Sequence, residues 1–245
     1  MKPFVITGIP RSGTSILSKY ICLHAENAYC INEVLYNVPT LRKELAAVAG
    51  WLIGGCTVPN KYSGKELLEN LGGENVVEER FVDKEFDGDI LIGSKVQTMY
   101  LREIQNIIAQ DLPIIAAVRD PVYTIASWVS EKCSKMEVAQ VGFPEMHGRW
   151  AGIPFESNLL LGRMAEVWEW HANIIAKLYK NGQIGLARYE DWYGCDIEDD
   201  DLRNMILSLP PIETRNDKIW YSADFDTIRG AVKKYCPSRE ALGYV

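Results

Sequence analysis

The first apolar segment of the chain leads into a glycine-rich loop. Residues Lys2 to Thr7 form a short, mainly apolar run, and Gly8 follows it directly. From Thr14 onwards the apolar side chains recur at helical spacing, at Ile16, Leu17, Tyr20 and Ile21. The pattern therefore predicts a strand, a loop that begins at Gly8, and a helix that begins near Thr14.

The same alternation recurs along the chain. Further short apolar segments predict strands, with helix-compatible stretches between them: Ala28–Ile31, Ile90–Ser94, Ile114–Val118 and Ile184–Arg188. Strands that alternate with helices form a mainly parallel sheet with helices on both faces. The sequence therefore predicts a three-layer α/β fold.

A long helix and a long loop are predicted in the second half of the chain. An apolar stripe at helical spacing predicts a helix from Ser157 to Lys180, with Ser157 as its N-cap and Asn181-Gly182 at its end. Residues 133–156 contain several glycines and prolines and predict a loop long enough to cover an acceptor site. No linker composition divides the chain, so we expect a single domain over residues 1–245.

Composition and charge argue against several classes of protein. Apolar residues make up 47% and charged residues 24% of the 245 residues, as in ordinary globular enzymes. The net charge of −7 argues against a nucleic-acid partner. No apolar segment reaches the roughly 18 residues of a membrane span, so we expect no membrane partner. The six cysteines are scattered without metal-ligand spacing, which indicates reduced thiols, no bound metal and a cytoplasmic location.

Residues 8–15, GIPRSGTS, have the spacing of a phosphate-binding loop, and we call them the phosphate loop. Gly8 and Gly13 match the two glycines of G-x-x-x-x-G-K-[ST], whereas Thr14 stands in place of the lysine. Such a loop presents backbone N–H groups and a positive helix end to an anion. Arg11 lies inside the loop, and an arginine can fork onto an anion. The simpler alternative is a glycine turn with Arg11 in solvent.

A second candidate anion site follows the strand Ile114–Val118. Arg119 comes directly after this strand, at the sheet edge where open α/β sheets bind ligands. Asp120 is predicted to cap the next helix, with Pro121 at the first helical position and Ser127 two turns along. Taken singly, an arginine such as Arg119 is more often a surface ion-pair partner, and a serine such as Ser127 a satisfied helix hydroxyl.

Three segments together resemble one family of transferases. They are the loop PRSGTS, the unit Arg119-Asp120-Pro121 followed after five residues by Ser127, and the late segment Arg188-Tyr189-Glu190-Asp191. In order and spacing they resemble the sulfotransferases that use 3'-phosphoadenosine 5'-phosphosulfate (PAPS), particularly bacterial members that act on small molecules and carbohydrates. The resemblance spans residues 3–193 and implies a P-loop-like fold.

The resemblance also implies a donor and roles for residues. In this family the first loop holds the 5'-phosphosulfate, which here implies Arg11, Ser12, Gly13, Thr14 and Ser15. The arginine and serine of the second unit hold the 3'-phosphate, which implies Arg119 and Ser127, and Tyr189 is implied as the residue that stacks on adenine. The implied reaction transfers a sulfuryl group from PAPS to a hydroxyl or amine of a small-molecule or sugar acceptor and releases adenosine 3',5'-bisphosphate (PAP), without a metal.

The catalytic base has two candidates. Members of the family use a histidine or a glutamate near the end of an early strand, and Glu33, after the second predicted strand, resembles the glutamate variant. His147, in the glycine- and proline-containing loop, is the rival. Lys95 resembles a lysine beside the acceptor and the bridging oxygen, although the proline that often follows it is replaced by Val96.

Two other functions remain open on the sequence. A P-loop kinase acting on a nucleotide or small molecule would share the architecture, but it is expected to have the loop lysine and an aspartate for magnesium after an apolar strand. The second alternative is a protein of the same fold that binds a nucleotide without turnover. Glu33 discriminates this binder from the sulfotransferase, since a protein without turnover needs no base beside the loop.

Overall fold

The predicted strands form and join in one sheet in the computed structural model. The structure describes residues 1–32, 37–56, 58, 60, 84–129, 148–149, 151–211, 216 and 224–245, and for residues 192–194 it describes the backbone alone. The six strands found in these ranges are β1 (Lys2–Gly8), β2 (Ala28–Asn32), β3 (Leu91–Lys95), β4 (Ile114–Val118), β5 (Gly185–Arg188) and β6 (Asp191–Asp196). Their order is β2-β3-β1-β4-β5-β6. The first five run parallel, and β6 pairs antiparallel with β5.

Helices connect the first five strands, and two more helices follow β6. In the described ranges they are α1 (Thr14–His24), α2 (Leu41–Ile53), α3 (Thr98–Arg102), α4 (Ile104–Ile108), α5 (Pro121–Val129), α6 (Leu160–Lys180), α7 (Asp200–Ser208) and α8 (Phe225–Tyr235). Short 3-10 turns cover Val38–Thr40 and Pro237–Leu242. Every residue of β2 and β4 is buried, as expected for parallel strands covered by helices on both faces. The predicted α/β fold with a mainly parallel central sheet is confirmed.

The strand order places a reversal of chain direction at the carboxyl edge of the sheet. The central strand β1 lies between β3 and β4. The chain leaves β1 towards β2 on one side and leaves β4 towards β5 on the other. Ligands of open α/β sheets bind at such a switch of direction. The phosphate loop follows β1 and Arg119 follows β4, so both predicted anion-binding segments lie at this edge.

The predicted start of the long helix was wrong. Ser157 was expected to be its N-cap, but α6 begins at Leu160 and its N-cap is Leu159. Ser157 is buried, and its hydroxyl oxygen accepts from the N–H of Leu159 (3.2 Å), which closes a turn before the helix. Gly162 packs tightly on Ser157, because a Cβ there would lie 2.0 Å from the Ser157 hydroxyl oxygen. Packing therefore fixes Ser157 outside the helix.

Side chains cover the outer edge of β2. The backbone N–H of Asn32 donates to Asn60 Oδ1 (2.7 Å), and Asn60 Nδ2 donates to the Cys30 carbonyl oxygen (2.9 Å). The N–H of Cys30 donates to Cys22 Sγ on α1 (3.2 Å). These backbone groups are therefore bonded by side chains in place of a further strand.

Candidate anion-binding site

The phosphate loop has an unusual backbone. Gly8 has φ +145° and Gly13 has φ +82°, and both values favour glycine. A Cβ at Gly8 would lie 2.1 Å from the carbonyl oxygen of Ala117, so β1 and β4 approach each other too closely for a side chain there. Arg11 is the unusual non-glycine residue of the loop, with φ 70°. The two glycines and Arg11 thus give the loop its turn between β1 and α1.

The amino end of α1 presents positive potential to the loop. Gly13 is the N-cap and provides no side chain to cap the first turn, and this turn of α1 contains no acidic residue. The first N–H groups of a helix have no partner within the helix and carry the positive end of its dipole. The end of α1 can therefore receive an anion.

Ser12 uses its polar atoms within the protein. Its hydroxyl lies within hydrogen-bond reach of the carbonyl oxygens of Ile9 and Ala117, at 2.8 Å from the latter, and its N–H donates to Ile9 (3.1 Å). Ser12 is fully buried. In this structure it holds the loop against β4, and its predicted contact with a phosphate stays a prediction.

Two hydroxyls at the start of α1 are oriented by the segment that ends β3. Gln97 Nε2 donates to Thr14 Oγ1 (2.8 Å), and Lys95 Nζ donates to Ser15 Oγ (2.9 Å). Because each hydroxyl oxygen accepts here, its own hydrogen can be donated to an oxyanion. Thr14 and Ser15 are thus prepared as donors at the helix end.

Lys95 lies behind the phosphate loop. Its side chain is 0% exposed, and in the sheet Lys95 stands opposite Ile6 of β1 and Asn32 of β2. A buried ammonium group needs hydrogen bonds or a negative charge nearby. Lys95 therefore places a positive charge directly under Ser15.

Gln97 is a site residue that sequence reasoning missed. Its carbonyl oxygen accepts from Thr7 Oγ1 (3.0 Å) while its side chain reaches Thr14, so it ties the end of β1 to the start of α1. The available signal was its position two residues after Lys95, near the carboxyl edge of the sheet.

The second predicted unit meets the phosphate loop. Arg11 Nε donates to Ser127 Oγ (3.2 Å), and Arg119 Nη1 donates to the Arg11 carbonyl oxygen (3.3 Å). Arg11 and Arg119, the arginine pair, thus lie together where β1 and β4 end. The structure brings the predicted 5' and 3' groups into one site.

Arg119 is the more deeply buried arginine of this pair. It is 5% exposed, and its guanidinium carbon lies 4.4 Å from the centre of the Tyr189 ring. Burial lowers the pKa of Arg119, and the charge of Arg11 lowers it further, whereas Tyr189 and Glu190 raise it. Among the described residues, neither member of the arginine pair forms an ion pair with a carboxylate.

The surroundings of Arg119 hold it in place. Trp168 Nε1 donates to its carbonyl oxygen (3.2 Å), and Thr124 Oγ1 reaches the same oxygen (3.3 Å). Its Nε and Nη2 donate to Asn216 Oδ1, at 2.9 and 2.7 Å. Asn216 was also missed by sequence reasoning, since no motif surrounds it.

Several predicted residues lie outside the described residues. They are Glu33, His147 and most of the predicted loop 133–156. Tyr189, the predicted adenine-stacking residue, is described and is 3% exposed, with Arg119 against its ring.

Two properties of the described residues bear on partners. No three histidine, cysteine, aspartate or glutamate side chains are grouped there in a way that could hold a metal ion. None of the helices in these ranges has both the length and the apolar character needed to cross a bilayer.

Comparison with known proteins gives likenesses at low identity. No family model and no curated protein sequence matches the chain. Among solved structures, a sulfotransferase from Alicyclobacillus acidocaldarius is 15% identical, with 99% of this chain and 94% of that chain covered and a TM-score of 0.47. The sulfotransferase domain of the curacin biosynthetic pathway is 16% identical, with 91% and 79% covered and a TM-score of 0.42. The sulfotransferase domain of the Synechococcus PCC 7002 olefin synthase is 13% identical, with 98% and 82% covered and a TM-score of 0.40.

Proposed function

We propose that this protein is a sulfotransferase that moves a sulfuryl group from PAPS to a hydroxyl or amine of a small-molecule or carbohydrate acceptor. The observation that carries the proposal is the arginine pair, in which Arg119 is 5% exposed and has no carboxylate partner among the described residues. A buried guanidinium costs free energy unless hydrogen bonds and a counter-charge compensate it. The pair therefore supports binding of a ligand with several negative charges.

The donor groups form two sets, and this favours a nucleotide with phosphates at two positions. One set is the end of α1 with Thr14 and Ser15, backed by Lys95. The other set is Arg119 with Ser127, and Arg11 is hydrogen-bonded to both of them. PAPS carries phosphate groups at both the 3' and the 5' position of its ribose, whereas a nucleoside triphosphate carries a single phosphate chain at the 5' position. The absence of the loop lysine also weighs against a triphosphate.

The chemistry follows from these charges. The acceptor oxygen or nitrogen attacks sulfur in line, the bond from sulfur to the bridging oxygen breaks, and PAP leaves with that electron pair. The acceptor proton passes to a base, for which Glu33 and His147 are the two candidates. Lys95 and Arg11 stabilise the charge that develops on the leaving phosphate, so that positioning and electrostatics supply most of the rate enhancement.

The test is calorimetric titration of the full chain with PAP. We expect a dissociation constant for PAP in the micromolar range or below. In Arg119→Ala we expect the affinity for PAP to fall at least about 30-fold, because a charge-assisted bidentate contact contributes about 2 kcal/mol or more. ADP with magnesium serves as the comparator ligand, and we expect it to bind at least tenfold more weakly.

A matched variant controls for loss of positive charge in general. Arg203 is a partly exposed arginine on α7 that pairs with Asp200, and Arg203→Ala removes the same charge away from the site. We expect this variant to bind PAP as the unaltered protein does. Equal binding of ADP and PAP, or an Arg119→Ala variant with unchanged affinity, would refute the proposed donor.

A further inference from the structure

Asn216 lies between Arg119 and the carboxylate of Glu190. Its Oδ1 accepts from Nε and Nη2 of Arg119, and its Nδ2 donates to Glu190 Oε1 (2.9 Å). Glu190 is fixed in turn by the hydroxyl of Tyr244, which donates to its Oε2 (3.0 Å), and by the N–H of Asp120, which donates to Oε1 (3.2 Å). A neutral carboxamide thus lies between a buried guanidinium and an anchored carboxylate.

The carboxamide satisfies Arg119 without cancelling its charge. A direct contact between Arg119 and Glu190 would form an ion pair and occupy the guanidinium with a negative charge of the protein itself. With Asn216 in between, the arginine keeps two hydrogen bonds while its positive charge is not paired with Glu190. The charge is thereby kept for a ligand.

The geometry also leaves hydrogen-bond donors on Arg119. A guanidinium has five N–H groups. Among the described residues, Asn216 accepts from two of them and the Arg11 carbonyl oxygen from one, which leaves one N–H on each terminal nitrogen without an acceptor there. An incoming phosphate can accept these two donors.

We propose that Asn216 is a positioning residue that transmits the orientation of Glu190 to Arg119 and preserves the charge of Arg119 for the 3'-phosphate of the donor. The inference rests on the proposed function, because it takes the ligand at Arg119 to be this 3'-phosphate. It makes the neutrality of residue 216 a determinant of the preference for a 3'-phosphorylated nucleotide.

The experiment compares Asn216→Asp with Asn216→Ala by calorimetry, using PAP and adenosine 5'-phosphate as the two ligands. Both variants lose the hydrogen bond to Glu190, but only the aspartate brings a negative charge onto Arg119. We expect PAP to bind about 30-fold more weakly to Asn216→Asp and about three- to tenfold more weakly to Asn216→Ala. Adenosine 5'-phosphate lacks the 3'-phosphate, and its affinity is expected to change less than about threefold in either variant.

A further variant separates charge on Arg119 from repulsion between residues 216 and 190. In Asn216→Asp combined with Glu190→Gln the repulsion is removed, and the weak binding of PAP is expected to persist. Thermal unfolding of each variant confirms that it is folded before titration. Equal losses in the aspartate and alanine variants would overturn the inference and leave the proposed donor intact. If the unaltered protein binds PAP no more tightly than adenosine 5'-phosphate, the proposed function fails, and the inference fails with it.

Discussion

Single residues define the electrostatics of the candidate site. Arg119 and Lys95 are almost fully enclosed, at 5% and 0% exposure, in a protein with a net charge of −7. Enclosed cations are rare because they lose hydration, and such groups cluster at functional sites. Lys95 ends β3 and Arg119 follows β4, both beside the phosphate loop, so the cost of enclosing them is concentrated at one edge of the sheet.

Lys95 is expected to act on the ligand through Ser15 and through its charge. Replacing it by Lys95→Met keeps the length of the side chain but removes the charge, and we expect PAP affinity to fall by about tenfold to 100-fold. Ser15→Ala tests the other partner of the 2.9 Å hydrogen bond. In a double-mutant cycle measured by calorimetry, the two changes are expected to be coupled by at least about 0.5 kcal/mol. Additive effects would show that Lys95 and Ser15 act independently.

Sequence reasoning named most of the residues that the structure brings together at the site. Arg11, Arg119 and Ser127 stand in recognisable motifs, and Arg11 is hydrogen-bonded to each of the other two, although Arg11 and Ser127 are 116 positions apart. Gln97 and Asn216 were missed. Their amides contribute through tertiary contacts, such as the bond from Arg119 to Asn216 across 97 positions, and spacing along the chain carries no sign of them.

Elements of structure give the site its rigidity, and α5 is the clearest case. Asp120 Oδ1 accepts from the N–H groups of Val122 (2.7 Å) and Tyr123 (3.3 Å), and Pro121 is the first residue of the helix, as predicted. The capped helix carries Ser127 towards Arg11. The start of α6 could not be predicted in the same way, because the packing of Ser157 on Gly162 has no local signature.

The cap of α5 gives a prediction for stability against pH. Burial raises the pKa of Asp120 above the ordinary 3.8, although the hydrogen bonds from Val122 and Tyr123 oppose the shift. The folded protein therefore holds this proton more tightly than the unfolded chain, and ionisation of Asp120 lowers stability as the pH rises from 3.8 through the raised pKa.

Two substitutions at this position separate capping from charge. Asp120→Asn keeps an acceptor oxygen without ionising, so its free energy of unfolding relative to the unaltered protein should improve between about pH 4 and about pH 6. Asp120→Ala loses the cap and should cost about 1 kcal/mol. Urea unfolding at both pH values measures these free energies. Equal free energies of unfolding for Asp120→Asn and Asp120→Ala would contradict the proposed cap.

At the scale of the whole molecule, the site joins distant parts of the sheet. The phosphate loop follows β1, Arg119 follows β4, and Tyr189 and Glu190 follow β5. The sequence predicted the strands of this sheet but not their order, because the insertion of β3 between β1 and β2 depends on pairing across about 60 or more residues. The antiparallel strand β6 was likewise not predicted.

Ligand binding should therefore stabilise the molecule as a unit. At 100 times its dissociation constant, PAP adds about 2.7 kcal/mol to the free energy of unfolding. For a chain of this size that raises Tm by about 5 to 10 °C. We expect this shift in thermal denaturation with PAP and not with adenosine, and we expect it to survive EDTA. A shift that disappears with EDTA would indicate a metal-dependent nucleotide site and favour the kinase alternative.

The outer edge of β2 bears on the tendency of the protein to aggregate. An open strand edge is a template on which a second chain can add a strand, and extension of that kind leads to aggregates. Here the side chains of Asn60 and Cys22 bond the backbone groups that a foreign strand would need. Two short side chains thus prevent a strand of another molecule from pairing with this edge. Asn60→Ala would expose the backbone groups again and lower the solubility of the protein.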